Sequence, residues 1–120
     1  MAYKFRIITR KSGQKAVQFL YNKTIIVWSE NYKSRASANN CISSMRKNSP
    51  AAPVVDRSNG EDGKGYRFEI VPSKNGQFYV RFVARNGETM MRSETYTAKT
   101  NAKKAIASVQ KNAAAAVMAE

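Results

Sequence analysis

Eight residues could act together on one ligand: Lys4, Arg6, Arg10, Arg67, Tyr79, Arg81, Arg85 and Arg92. Most of them stand opposite the apolar positions of alternating segments, so a strand would turn them all to one side of a sheet. Gln18 falls on the same side, and Trp28 occupies the place that Arg92 takes in a second, similar segment. Cations two residues apart with interleaved rings suit a single-stranded nucleic acid. The charges hold the backbone and the rings stack on bases. A solvated sheet face would also be polar, but it would mix signs, and Glu69 is nearly the only acid here. Arg6, Arg67, Arg81 and Arg85 are expected to contact phosphates and Tyr79 to stack. Replacing Arg81 and Arg85 with Glu is expected to weaken binding and leave the fold intact.

Other chemistry finds little support. The chain has no His, so a His-based triad or general base is excluded. With one Cys and no His, a Cys/His metal site cannot form within the chain. Cys41 lies on the apolar stripe of a predicted helix and reads as a core residue. Glu30 and Glu94 recur at matching places. They read as structural, bonding backbone amides or a Lys where a helix begins. Tyr32 and Tyr96 also recur and read as rings packed beneath the helix starts. The glycines of 58–65 do not form a phosphate loop, since G-x-x-x-x-G-K-[ST] is missing. No enzyme activity and no cofactor are expected.

The charge balance points to polyanions. Lys and Arg total 21 against 8 Asp and Glu, a net charge of +13. Residues 1–58 carry 11 basic and 2 acidic residues, and 59–120 carry 10 and 6. The excess therefore sits mainly in the first half. A second basic surface is possible at Lys33, Arg35, Arg46, Lys47, Lys99, Lys103, Lys104 and Lys111, where lysines more often serve solubility. No apolar run approaches a membrane span, and MAYKFRIITRK has no apolar signal region, so a cytoplasmic location is expected.

The elements that must position these residues are written twice. YKFRIITRKSGQKAVQF at 3–19 matches YRFEIVPSKNGQFYVRF at 66–82 in 8 of 17 positions. SENYKSRASANNCISSMRKN at 29–48 matches SETYTAKTNAKKAIASVQKN at 93–112 in 8 of 20. The shift is 63 residues in the first pair and 64 in the second, so one residue enters at the turn containing Asn86-Gly87. A duplication accounts for this.

In each copy, period-two alternation (Tyr3, Phe5, Ile7; Tyr66, Phe68, Ile70) predicts a strand. Turns at Ser12-Gly13 and Asn75-Gly76 lead to second strands with Val17 and Phe19, or Phe78, Val80 and Phe82, facing in. Third strands are predicted at 24–29 and 88–93. The period then changes. Ala38, Cys41, Ile42 and Met45 form one helical stripe, and Ala102, Ala105, Ile106 and Val109 form its counterpart. Ser34 is the expected cap of the first helix, with Thr97 or Thr100 for the second. Pro50 and Pro53 end the first helix, Val54-Val55 could form a short strand, and 58–65 reads as a mobile turn. The alanine-rich tail after the second helix leaves a strand there open.

The expected fold is α+β. Two β-β-β-α(-β) units, 1–58 and 59–120, form a single domain with one antiparallel sheet, both helices on one face and a pseudo-two-fold relation. Three strands and a helix bury too little apolar surface alone, and two units share a core. The chain is then its own pseudo-dimer and is expected to be a monomer.

The second copy closely resembles the YegP-like family of small bacterial proteins of unknown function. The shared residues are Phe68, Lys74, Gly76, Phe82, Asn86-Gly87, Ser93-Glu94, Tyr96, Lys99, Ala102, Ile106, Lys111 and Asn112. The first copy departs more, with Lys15-Ala16 in place of Phe78-Tyr79 and no Gly after Asn22. The resemblance covers most of the chain. It implies that the strand after each helix is exchanged between units, so that 53–57 pairs with the other copy. It implies no catalytic residue.

The functional expectation is a small, basic, non-enzymatic protein that binds RNA or DNA, mainly through charge. The alternative is a module or inhibitor docking on an acidic protein partner.

Overall fold

A computed structural model of the chain describes residues 3–119. Strands β1 (Tyr3–Thr9), β2 (Lys15–Tyr21) and β3 (Thr24–Ser29) precede helix α1 (Arg35–Asn48) and a short β4 (Val54–Asp56). Strands β5 (Arg67–Pro72), β6 (Phe78–Val83) and β7 (Thr89–Tyr96) precede helix α2 (Lys99–Asn112) and β8 (Val117–Met118). The eight strands form one sheet in the order β4-β5-β6-β7-β3-β2-β1-β8. The fold is thus mixed α+β, with one sheet and two helices.

Both helices pack their apolar stripes on the same buried layer. Ala38, Cys41, Ile42 and Met45 of α1 join Ala102, Ile106 and Val109 of α2 in one cluster with Phe5, Phe19, Phe68 and Phe82. Tyr3 and Ile7, expected in this layer, pack at its margin and are only partly buried. Val27 and Met91 complete the layer from the strands at its centre.

The sheet is not wholly antiparallel. β4 pairs parallel with β5, and β8 pairs parallel with β1. The expected strand exchange is present, since β4 follows α1 yet joins β5, and β8 follows α2 yet joins β1. A parallel neighbour in sequence needs a return path, because the chain must run back the length of the strand. That is why 57–66 is not a tight turn. It begins as a 3-10 turn over Arg57–Asn59 capped by Asp56, whose carboxylate accepts from the Ser58 N–H at 3.0 Å. It then winds round the edge strand, and a Cβ at Gly63 would meet Val55 at 2.7 Å and Arg67 at 2.8 Å. The same carboxylate joins β4 to α2 through Lys99 Nζ at 2.8 Å.

The helix caps differ. Ser34 Oγ accepts from the Ser37 N–H at 3.2 Å, as expected of a cap. For α2 neither Thr97 nor Thr100 serves. The cap residue is Ala98, the 64-residue counterpart of Ser34, and it has no side-chain oxygen to offer.

The one-residue change in shift has a local cause. β2 and β3 are joined by the two residues 22–23, with Asn22 left-handed at φ 54°. The β6–β7 hairpin closes between Ala84 and Glu88, with three residues in its loop and Gly87 at φ 88°. Asparagine tolerates the left-handed region that the shorter turn requires, so the first copy manages without the glycine.

The recurring Ser-Glu pair is explained by its serine. Ser29 Oγ accepts from the Val17 N–H at 2.8 Å and donates to the Glu30 carbonyl. Ser93 Oγ accepts from the Val80 N–H at 2.9 Å and donates to the Glu94 carbonyl. Pairing between β6 and β7 is irregular there, stepping from Tyr79–Thr95 to Arg81–Arg92. A buried hydroxyl thus replaces the ladder carbonyl at a bulge. Glu30 and Glu94 themselves are exposed, and neither carboxylate makes a hydrogen bond or ion pair among the described residues. Tyr32 and Tyr96 pack against the core as expected.

Candidate nucleic-acid interface

The face of the sheet away from the helices carries one continuous row of cross-strand neighbours. Arg6 on β1 faces Gln18 on β2, and Gln18 faces Trp28 on β3. Trp28 faces Arg92 on β7, Arg92 faces Arg81 on β6, and Arg81 faces Glu69 on β5. Side chains opposite each other in such a ladder sit close enough to interact.

The two ends of this row are already occupied. Arg6 donates from Nε and Nη2 to Gln18 Oε1 at 3.0 and 2.6 Å. Glu69 is 1% exposed although it lies on the outward face. Arg67 Nε donates to one of its oxygens at 2.7 Å, and Arg81 Nη2 reaches the other at 2.6 Å. Arg67 also donates to the Gly65 carbonyl at 2.9 Å. Burial pushes the Glu69 carboxyl up, but the hydrogen bonds and charges of Arg67 and Arg81 outweigh it and hold the group below its ordinary range.

This arrangement corrects the expected roles. Arg67 and Arg81 are first of all the partners of a buried carboxylate. Arg81→Glu would set a second carboxylate beside Glu69, so that substitution cannot be neutral for the fold. Arg85 does not belong to the row. It is exposed in the β6–β7 loop, and its guanidinium lies over Tyr66 at 5.8 Å. Tyr66 stacks on Phe82 of the buried layer, which draws Arg85 toward the helix side. Tyr79 is half-buried, and the Arg92 guanidinium covers its ring at 4.6 Å. A base therefore meets Arg92 before it meets Tyr79.

The centre of the row is the accessible part. Arg92 is exposed, and its one hydrogen bond among the described residues is a long one, 3.4 Å from Nε to the Ser93 carbonyl. Trp28, directly across from it, is half-buried. A recess of about 140 Å³ lies beside them, bordered by Trp28, Thr89, Met91 and Arg92, with the exposed Glu30 as the one acid on its rim. Lys4 is half-buried one step further along β1, facing Leu20. Arg10 is exposed beyond the end of β1 and donates to Asn31 Oδ1 at 3.2 Å. The outward row and its neighbours Lys4 and Arg67 carry five cations against Glu69.

Of the predicted residues, the structure brings Arg6, Tyr79, Arg81 and Arg92 together, with Arg67 and Lys4 at the flanks. Arg10 is peripheral and Arg85 is elsewhere. Sequence reasoning missed the role of Glu69. Its signal was present in the pattern Arg67-x-Glu69, but its contact with Arg81 depends on register. The helix cations are likewise partly committed. Arg46 lies over Phe5 at 5.4 Å, and Lys99 lies over Phe78 at 5.3 Å while paired to Asp56. Among the described residues, no helix is long and apolar enough to cross a membrane.

A model of a domain of unknown function, DUF1508, matches residues 19–56 and 73–120. A UPF0339 protein of Pasteurella multocida is 37% identical over 106 residues, covering 84% of this chain and 82% of that one. A UPF0339 protein of Caulobacter vibrioides is 45% identical over 58 residues, which make up 48% of this chain and 98% of the relative. The solution NMR structure of yegP from E. coli, a protein of unknown function, superposes with a TM-score of 0.78 at 27% identity, covering 98% of this chain and 91% of that one.

Proposed function

The chain belongs to the DUF1508 family, a family of unknown function, and we propose that it is a non-enzymatic binder of single-stranded nucleic acid. The observation that carries this reading is the centre of the outward row, where an accessible guanidinium at Arg92 faces Trp28 across one ladder step. Phosphates would be held by Arg92, Lys4 and Arg10, and a base would stack on Trp28 or on the Arg92–Tyr79 pair. Arg6, Arg67 and Arg81 supply field rather than free donors. A net charge of +13 adds a diffuse attraction that raises the association rate.

The finer architecture belongs to the same proposal. We read the two units, 1–58 and 59–120, as tandem copies related by a pseudo-two-fold between β3 and β7, so the ligand would cross the junction of the copies. The Caulobacter relative, which matches about half of this chain over nearly its own full length, supports that reading. The chain would then act as a monomer, in the cytoplasm.

The sole tryptophan lies at the centre of the proposed site, which makes the test direct. Labelled single-stranded RNA, single-stranded DNA and duplex DNA are titrated across a salt series, following anisotropy and Trp28 fluorescence. Sedimentation run alongside is expected to find the free chain at 13.4 kDa. Binding is expected to quench Trp28, with a slope of log K against log salt of about −3 to −6. Arg92→Ala should reduce that slope by about 1 and Trp28→Leu should cost about 1–3 kcal/mol of affinity. Weak binding to all three ligands, without quenching and gone at physiological salt, removes the proposal.

A second reading is favoured by the sheet edges. β4 and β8 are short and expose Val54, Val117 and Met118 at 42%, 56% and 44%. An acidic partner could add a strand at either edge. Capture of a protein that survives nuclease treatment and the Arg92→Ala substitution would favour this reading.

A further inference from the structure

The helix side of the sheet holds a cavity of opposite electrical character. It is an open groove of about 330 Å³ between α1 and the β6–β7 hairpin. Glu30 and Glu88 border it, and no Lys or Arg lines it, in a protein with 21 basic residues. Tyr32, Tyr66 and Met90 supply ring and thioether surface, and Asn40 lies on the α1 wall. Neither carboxylate is ion-paired among the described residues.

Both carboxylates border the groove that Tyr32 lines. Burial raises the Tyr32 phenol well above its ordinary range, its hydrogen bond with Cys41 adds to this, and the charges of Glu30 and Glu88 push the same way. The protein already places one cation on this wall, since the Arg85 guanidinium rests over the Tyr66 ring. The second copy does not repeat the arrangement. At the 64-residue shift, Lys104 stands for Asn40 and Thr24 stands for Glu88. The counterpart groove would thus trade one carboxylate for a hydroxyl and gain a lysine.

We propose that this cavity binds a small organic ammonium ion. Carboxylates would make charge-assisted hydrogen bonds to its N–H groups or pair with a quaternary head, and the tyrosine rings would attract the cation through their faces. The volume falls at the lower end of small-molecule sites, which begin near about 300 Å³. An anion would meet two negative charges on the lining, and the one cation at its wall, Arg85, is held over the Tyr66 ring. The groove shares Glu30, Thr89 and Met90 with the recess beside Trp28 and Arg92, so the two sites meet at that end of β3 and β7.

The test is calorimetric titration of the full chain, free of nucleic acid, with putrescine and with choline. Butanediol and sodium chloride at matched ionic strength serve as controls. Saturable binding is expected for at least one ammonium ion and for neither control. The Glu30→Gln, Glu88→Gln double variant and the Asn40→Lys variant should each bind at least about tenfold more weakly, a loss of about 1.4 kcal/mol or more. Asn40→Lys changes one exposed helix position, so it reports on charge even where the double variant folds poorly. Arg6→Ala, at the β1 end of the outward row and in neither lining, should bind as the parent does. The proposal is overturned by the absence of saturable binding for both ions, by equal binding of butanediol, or by unchanged affinity in folded Asn40→Lys.

Discussion

The outward row has two halves of identical backbone role and different chemistry. In the first copy it reads Arg6, Gln18, Trp28, and in the second Glu69, Arg81, Arg92. The first half is closed by a charge-assisted hydrogen bond between an arginine and a neutral amide. The second half is closed by a carboxylate, 1% exposed, between two guanidiniums. Both satisfy their polar groups, but only the second keeps a charge out of water and depends on its partners for it. The first copy can therefore lose its pair cheaply, and the second cannot. The lesson is that two segments of similar sequence can hold the same ladder positions and the same core residues while the side chains of their outward row differ.

The largest expected effect is at Glu69. Glu69→Ala leaves two guanidiniums facing each other and should cost about 2–4 kcal/mol, the lower end applying because Arg81 can swing to water. Arg6→Ala at the counterpart position should cost about 1 kcal/mol. Urea unfolding of both variants reads the difference directly, and equal losses would dissolve the comparison. It also has a pH form. Glu69 is held below its ordinary pKa, so its contribution is complete above about pH 4.3 and is lost as pH falls through the folded-state value. The gap between parent and Glu69→Ala should therefore shrink in acid.

The bulge serines come next. Ser29→Ala and Ser93→Ala each strand a buried backbone N–H, of Val17 and Val80 respectively, and each should cost about 1–3 kcal/mol. Here the copies should behave alike. Unequal losses in thermal unfolding would show that the two bulges are not equivalent.

The smallest effect is at the helix starts. Ser34→Ala should destabilise by about 1 kcal/mol, and Ala98→Ser should stabilise by about 0.5–1 kcal/mol by giving α2 the cap it lacks. A melting temperature unmoved by Ala98→Ser would mean that the start of α2 is held by packing rather than by its cap.

Much of the fold was readable because the residues concerned follow a period. Phe5, Phe19, Phe68 and Phe82 alternate along strands, and Ala38, Cys41, Ile42 and Met45 repeat at helical spacing, so burial follows from local geometry. The core residues Met91 and Val27 were harder. They lie in the third strands, where the bulges interrupt alternation. Thr97 and Thr100 look like caps by residue type, but only the backbone says which residue begins the helix, and it gives the place to Ala98. Arg85 falls outside the row because alternation ends with β6 at Val83, and the loop beyond it does not alternate.

By itself the sequence determined the element types, the duplicated pattern, the apolar layer and the excess of positive charge, because each depends on residue type and spacing along the chain. Beyond the strand exchange that the family resemblance implied, only the tertiary structure decided which strands of the two halves are neighbours. β4 and β8 joined parallel edges, β3 met β7 at the centre, and that meeting put Trp28 beside Arg92. The same register placed Arg81 against Glu69 and turned two predicted phosphate contacts into the partners of a buried carboxylate. The physical reason is range. Hydrophobic periodicity acts over a few residues, whereas an ion pair or a stacking site is made by strands that the chain brings together from tens of residues apart.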